Sequence, residues 1–300
     1  MGLDGEMKTR KFRTHTQAVA GDIEALLMVA LVSIVLSTIQ LVYIPQIIVQ
    51  KEAEHMDSVS NQVSTMKSMI DVQAITRSSA PISSMLSLGS SDLPYFITAK
   101  AFGEISVTDN LASKITLLPP PGSLASGVVP LTSIRYAADN SYFVDQAYIL
   151  EDGGMILQKR EGLPVMRADP SISSINNTNS ITIHFDLPHI IGTPGKDVTS
   201  GEGICFIRTN YSSNRTHFDT IQSGGHIRIF TSYLNAWNES LYNIFGIYTV
   251  KGYINIVESA AQGDIEMSPG TKDNYASAEC HRNLCSDRSR MDSLEKKNMF

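Results

Sequence analysis

Hydrophobic and polar positions recur with different periods along this 300-residue chain, and one stretch carries no charge. Residues 25–44 contain no Asp, Glu, Lys or Arg. As an α-helix, these 20 residues would span about 30 Å, the thickness of the hydrocarbon core of a bilayer. The pattern predicts a transmembrane helix over residues 23–49.

A helical stripe of apolar residues follows this run. Its members are spaced three and four residues apart, as in a heptad repeat: Met56, Val59, Val63, Met66 and Ile70. We therefore expect a helical stem over residues 50–78. The stripe packs either on the globular part of its own chain or on stems of neighbouring copies. We favour the first, because a coiled coil normally needs at least three heptads.

Residues 79–258 have the pattern of a β-rich domain. Short β-branched and aromatic stretches alternate there with clusters of Gly, Pro, Asn and Ser, which is typical of an antiparallel β-sandwich. The turn at Asp152-Gly153 predicts the clearest hairpin. The predicted strands are residues 95–101, 105–108, 114–117, 132–137, 143–150, 155–159, 180–187, 203–211, 226–233 and 247–257.

Two further segments depart from the strand pattern. Residues 234–242 have helical spacing, and we interpret Trp237 there as a core anchor rather than a ligand platform. Residues 259–300 lose the apolar pattern, so we expect a disordered tail. The predicted fold class is α+β: a membrane helix continuing as a stem, then a β-sandwich head.

The charges beside the apolar run predict its orientation. Basic residues precede it, namely Lys8, Arg10, Lys11 and Arg13, so residues 1–22 should be cytoplasmic and the bulk of the chain extracellular. A cleaved secretory signal would have a shorter apolar core of about 7–15 residues. The net charge of −6 and the lack of another basic patch argue against nucleic-acid binding. The expected location is the cell membrane, with the lipid bilayer as a partner.

Several segments occur in an order that resembles a known group. They are Gly21-Asp-Ile-Glu24, Tyr43-Ile-Pro45, the hairpin over residues 141–158 and the stretch 227–237. Over residues 20–258 the chain resembles uncharacterised archaeal membrane-anchored proteins related to type IV pilins and archaellins. The resemblance implies an N-terminal anchor helix and an extracellular β-rich head. It implies no catalytic activity.

The same resemblance makes Gly21, Asp22 and Glu24 candidate processing residues. Small residues before the apolar run suit a prepilin-type peptidase, which cuts on the cytoplasmic face. After a cut behind Gly21, Glu24 would be the third residue, whereas pilins usually place a Glu at the fifth, where it neutralises a neighbour's N-terminal amine. Alternatively, Asp22 and Glu24 simply favour the positive end of the helix dipole.

Catalytic and metal-binding motifs are missing from the sequence. It has no phosphate-binding Gly-rich loop, no Gly-x-Ser-x-Gly elbow and no His-Glu-x-x-His, so we expect neither an enzyme nor a cofactor. We interpret His184 and His189 as isolated histidines rather than metal ligands with Cys205.

Two kinds of covalent modification are compatible with an extracellular domain. Cys280 and Cys285 are five residues apart and could form a disulfide, remain free thiols or, less in keeping with their spacing, bind a metal. The candidate glycosylation sites are Asn176, Asn210, Asn214 and Asn238. Asn210 and Asn214 are the better candidates, since that stretch has the composition of an exposed turn.

Two functions fit these expectations best. The first is a single-pass, pilin-like cell-surface protein with a structural or adhesive role, whose partners include copies of itself through the membrane helix and stem. The alternative is a membrane-tethered module that binds a surface polysaccharide or a protein partner without polymerising. A tethered hydrolase would need a cleft with converging acidic or nucleophilic residues.

Overall fold

The structure is a computed structural model of the whole sequence. It describes residues 16–89, 101–118, 127–176, 180–193, 195–222, 225–251, 253–259, 263–269 and 277–292. For residues 16–20, 109–112, 176, 180, 214–222 and 277–292 it describes the backbone alone. The chain forms two compact units, residues 1–49 and 50–300, which are described separately.

The described part of the first unit, residues 16–49, is helical. Helix α1 spans Thr16–Thr38, a π-helical turn spans Ile39–Tyr43, and helix α2 spans Ile44–Thr76 and continues into the second unit. The π-helical turn has a local cause: Pro45 has no N–H, and its ring would clash with the Leu41 carbonyl in a regular α-helix. Every residue of 21–42 is exposed. By length and composition this helix is able to cross a membrane.

The second unit contains the rest of α2, helix α3 and the strands. Helix α3 spans Leu234–Val250. The strands are β1 Ile82–Ser87, β2 Phe102–Leu118, β3 Gly127–Asp139, β4 Gln146–Glu151, β5 Gly154–Lys159, β6 Val165–Ala168, β7 Ser171–Asn176, β8 Ser180–Ile191, β9 Val198–Gly201, β10 Ile204–Gln222, β11 His226–Phe230, β12 Ile254–Ser259, β13 Asp264–Pro269 and β14 Ser277–Asp292.

These strands form two mainly antiparallel sheets. The larger has the order β12-β13-β11-β2-β3-β4-β5-β6, with β9 paired to β2. The smaller has the order β1-β10-β14-β8-β7, and β14 pairs parallel with β8. The α+β class expected from the sequence is confirmed.

The stem helix packs on the head of its own chain. All five residues of the apolar stripe in α2 are at most 2% exposed. They share one core cluster with Tyr148, Leu150, Met155 and Leu157 of the β4–β5 hairpin. The first of the two readings of the stripe is therefore confirmed for the described residues.

The β4–β5 hairpin is buried on both faces. Its other face, which includes Ile149 and Ile156, belongs to a second core that also contains Phe185 of β8 and Trp237 of α3. Uninterrupted apolar runs at residues 147–150 and 155–157 make this double burial favourable. The turn is a two-residue loop with positive φ at Asp152 (41°) and Gly153 (87°), as the sequence predicted.

Several predictions about the head need correction. Residues 247–250 continue helix α3 instead of starting a strand, because the helical spacing extends from Trp237 and Leu241 to Phe245, all fully buried. Residues 105–108 and 114–117 lie in one strand, β2. Most of the predicted strand 95–101 lies outside the described residues.

The predicted disordered tail is wrong for part of its length. Residues 264–269 form β13, which pairs with β11 and β12 and buries Ile265 and Met267. The alternation Ile-Glu-Met is too short to stand out in the sequence, but it completes an existing sheet face. The backbone of residues 277–292 also forms a strand, β14.

Candidate functional site

A groove lined by alanines and by long polar side chains lies on the larger sheet where β3, β4 and β5 run side by side. Its volume is about 250 Å³. The strand register aligns Ala137 of β3 with Ala147 of β4, and Ala147 with Gln158 of β5. The two alanines form the floor of the groove. Because residues two apart on a strand share a face, Arg135 and Arg160 lie on either side of this floor, on the same face of the sheet.

Two arginines occupy different electrostatic surroundings in the groove. The Arg135 side chain is half-buried and forms no hydrogen bond or ion pair with the residues that the structure describes. The Arg160 guanidinium lies 3.0 Å from Asp145 Oδ2 and is 76% exposed. Lys159 also lies at the edge of the lining, but strand alternation places it on the opposite face from Gln158. The groove face therefore combines two arginines with one carboxylate, in a chain whose net charge is −6.

Tyr233 lies close enough to Glu151 and Arg135 for both charges to act on its hydroxyl group. Burial and the nearby Glu151 carboxylate raise the pKa of Tyr233, and the charge of Arg135 lowers it. The Arg135 charge is therefore felt by the ring of Tyr233, at the start of helix α3.

Glu151 is a buried carboxyl group at the end of β4. Its Oε2 accepts hydrogen bonds from Thr231 Oγ1 at 2.8 Å and from Trp237 Nε1 at 2.6 Å. Burial raises its pKa, and the hydrogen bonds from Thr231, Trp237 and Ser113 partly oppose that shift. With 2% exposure it orients Trp237 and has no access to a substrate.

The next residue, Asp152, joins the hairpin turn to the rest of the head. Its Oδ1 accepts hydrogen bonds from the N–H and hydroxyl of Thr132, at 3.0 and 3.1 Å. The Thr132 hydroxyl in turn accepts a bond from Ile190 N at 2.7 Å, which links the two sheets. His189 Nδ1 lies 3.5 Å from the same hydroxyl.

Buried polar residues also fix the stem to the head. Glu52 is 1% exposed and accepts hydrogen bonds from three successive backbone N–H groups, those of Ser141, Tyr142 and Phe143, at 2.6 to 2.9 Å. Gln73 is fully buried; it donates to the carbonyls of Ala80 and Thr209 and accepts from the Thr209 hydroxyl. The stem is thus held by specific polar contacts near both ends of its apolar stripe.

His55 and Tyr136 form a further contact within this core. His55 Nε2 lies 3.2 Å from the Tyr136 hydroxyl, which donates to the Leu88 carbonyl. Burial lowers the pKa of His55, and the Leu88 backbone and Glu52 oppose that shift. Burial also raises the pKa of Tyr136 strongly. The pair therefore favours neutral side chains, in keeping with a structural contact.

The processing candidates Gly21, Asp22 and Glu24 all lie within helix α1, which begins upstream at Thr16. They are exposed. A cut behind Gly21 would require this part of the helix to unwind. Processing stays a prediction.

The glycosylation candidates lie in regular elements. Asn210 and Asn214 are inside strand β10, so the expected exposed turn is wrong. Asn238 lies in α3, where it donates to Glu258 and where Ser240 of its sequon is fully buried and bonded to Asp169. Side chains of Asn176 and Asn214 are outside the described residues. Glycosylation stays a prediction at all four.

The three cysteines lie in two different strands. Cys205 is a buried free thiol, as expected for a small hydrophobic residue. Cys280 and Cys285 lie in β14, whose side chains are not described. Five residues of extended strand span about 16 Å, beyond the reach of a disulfide, so forming one would require this segment to leave β14.

Metal-ligating groups of three or more His, Cys, Asp or Glu do not occur among the described residues. Arg135, Arg160, Glu52 and Glu151 belong to no motif that is recognisable in the sequence. The available signal was weak: Arg135 interrupts an apolar strand, and Lys159-Arg160 follows another. Only the register of three strands brings Arg135 and Arg160 to one groove.

Comparisons with known proteins add no relative. No protein-family model, no curated protein and no solved structure matches this chain.

Proposed function

We propose that this chain is a single-pass, membrane-anchored cell-surface protein, pilin-like in plan, with a structural or adhesive role. One observation carries the proposal: an exposed helix, whose uncharged run over residues 25–44 has membrane-spanning length, is joined to a separate compact unit with its own cores. In this proposal the two sheets pack as a sandwich outside the cell, and residues 1–22 remain in the cytoplasm.

The stem burial narrows how copies could associate. The heptad stripe of α2 is covered by the head of its own chain. Self-association in this proposal therefore uses the membrane helix, whose Ser33 and Thr38 hydroxyls already bond to the carbonyls of Val29 and Ile34. Such back-bonded hydroxyls leave van der Waals packing as the main attraction between helices in lipid.

Cysteine accessibility in intact cells tests the anchoring and orientation. In a background with Cys280→Ser and Cys285→Ser, we would introduce Gly5→Cys or Glu161→Cys and label with a membrane-impermeant maleimide. Glu161 is exposed. Labelling at position 161 alone supports the proposal. Labelling at position 5 alone would contradict the proposed orientation. Recovery of the chain in the soluble fraction would contradict the proposed membrane anchoring.

A tethered binding module is the second candidate, and the groove favours it. The half-buried Arg135 side chain, which has no hydrogen bond or ion pair among the described residues, is the feature that a purely structural head does not need. The oligomeric state of the detergent-solubilised full chain separates the two. Fibres or ordered oligomers favour the structural role, whereas a monodisperse monomer favours the binding module.

A further inference from the structure

We propose that the groove between Arg135 and Arg160 binds a carboxylated saccharide, with the guanidinium groups recognising its carboxylates. The proposal deepens the binding-module function, and rests on it for access to a surface polysaccharide. It concerns residues of the second unit only, and each is described with its side chain.

The shape of the groove follows from side-chain size. Ala137 and Ala147 form a low floor between the long side chains of Arg135, Gln158 and Arg160. From strand spacing and rise, the Cα atoms of Arg135 and Arg160 are about 16 Å apart across the floor. The groove is therefore elongated and open, which suits a segment of a chain-like ligand better than an enclosed small molecule.

The charge of the groove selects an anion. Arg135 is half-buried and has no carboxylate or carbonyl acceptor among the described residues. A guanidinium in this state gains more from a bound carboxylate than a fully hydrated one does, and its planar fork binds carboxylate in a bidentate manner. At the other end Arg160 is held by Asp145 through one nitrogen, Nη1, at 3.0 Å, which leaves further N–H donors exposed.

The uncharged polar lining favours a saccharide over an acidic peptide. Gln158 lies on the groove face and is half-buried, and its side-chain amide has no hydrogen-bond partner in the described part of the chain. Its amide both donates and accepts, as sugar hydroxyls require. The alanine floor offers no deep apolar pocket in which a peptide side chain could anchor.

The test uses the full-length chain in detergent micelles. Isothermal titration would compare an oligogalacturonate with a neutral galacto-oligosaccharide of equal length and with a tetraglutamate peptide. We expect binding of the oligogalacturonate alone, weakening as NaCl is added. No binding, or equal binding of the neutral sugar or of the peptide, overturns the proposal.

Arginine variants locate the site. Arg135→Gln should weaken oligogalacturonate binding about tenfold or more, since a charge-assisted, bidentate contact is lost. Arg167→Gln is the matched control, because Arg167 is exposed on β6 and does not line the groove. Arg160→Gln repeats the test at a 76% exposed position where folding is not at risk. Unchanged affinity in both groove variants overturns the proposal.

These measurements are independent of the anchoring proposal. Titration of the purified chain reports on the groove whichever side of a membrane it occupies. The cysteine-labelling experiment reports on topology whether or not a sugar binds. A failure of either proposal is therefore recognisable by itself.

Discussion

The apolar side chains of two helical segments of this chain differ in exposure. In α1, apolar residues occur on all sides and remain exposed, as Leu31 and Ile34 do. In α2 they recur at intervals of three and four residues and are buried under the head, as Val59 and Val63 are. The comparison shows that the period of the pattern, rather than the amount of apolar surface, decides what a helix packs against.

A charge within the buried stripe should break the head most severely. Val59→Asp would leave a carboxylate in the core without a partner, and we expect a loss of at least about 4 kcal/mol in the free energy of unfolding. Fluorescence of Trp237, the only Trp and fully buried, would monitor unfolding in detergent. Membrane partition should not change.

Val72→Asp is the matched control for this variant. Val72 lies on the same helix but is 53% exposed, so its substitution should alter stability by no more than about 0.5 kcal/mol. Equal destabilisation by the two variants would contradict the burial of the stripe.

The same kind of charge in α1 should act on the membrane instead of the head. Val32→Arg places a cation near the middle of the uncharged run, at a cost of about 2.5–3.5 kcal/mol for insertion. We expect less protein in the alkali-washed membrane fraction and an unchanged unfolding midpoint from Trp237. Ile75→Arg, at an 80% exposed position of α2, should leave both readouts unchanged.

Removal of a polar stem contact should have a smaller effect. Glu52→Ala leaves three N–H groups without their acceptor, and we expect destabilisation of about 1–3 kcal/mol with faster hydrogen exchange at residues 141–143. Glu54→Ala removes an exposed ion pair with Lys51, which solvent screens, and should leave the free energy of unfolding almost unchanged. A larger loss of stability for Glu54→Ala than for Glu52→Ala would contradict the proposed role of Glu52 in holding the stem.

The smallest expected effect is a pH dependence of the free energy of unfolding, caused by Glu151. Burial raises its pKa above the ordinary 4.5, so the folded state binds the proton more tightly than the unfolded state. Its contribution to stability is fully present below pH 4.5 and is lost as the pH rises through the folded pKa. The free energy of unfolding of the wild type minus that of Glu151→Gln, measured by chemical denaturation, should therefore decrease with rising pH. A difference that is constant or increases would contradict the burial.

Local patterns predicted much of this fold. Four features depend on residues close in sequence and can therefore be recognised from a short stretch of it. They are the uncharged run, the stripe of α2, the turn at Asp152-Gly153 and the start of α3. Strand β9 was missed because it is short and pairs with β2, which is distant in sequence. Strand β13 was missed because it is equally short, and besides its neighbour β12 it pairs with the distant β11. The groove was missed for the same reason, since its arginines are 25 residues apart in sequence.

The sequence by itself determined the helix of membrane-spanning length, the stem with one apolar face and the β-rich composition of the head. Hydrophobic period and turn chemistry are local properties, and they are sufficient for those features. Only the tertiary structure decided that the stem packs on its own head, that Glu52 and Glu151 are buried with donors, and that Arg135 faces a groove without a protein acceptor among the described residues. These features depend on strand register and on contacts between distant residues, which no single segment encodes.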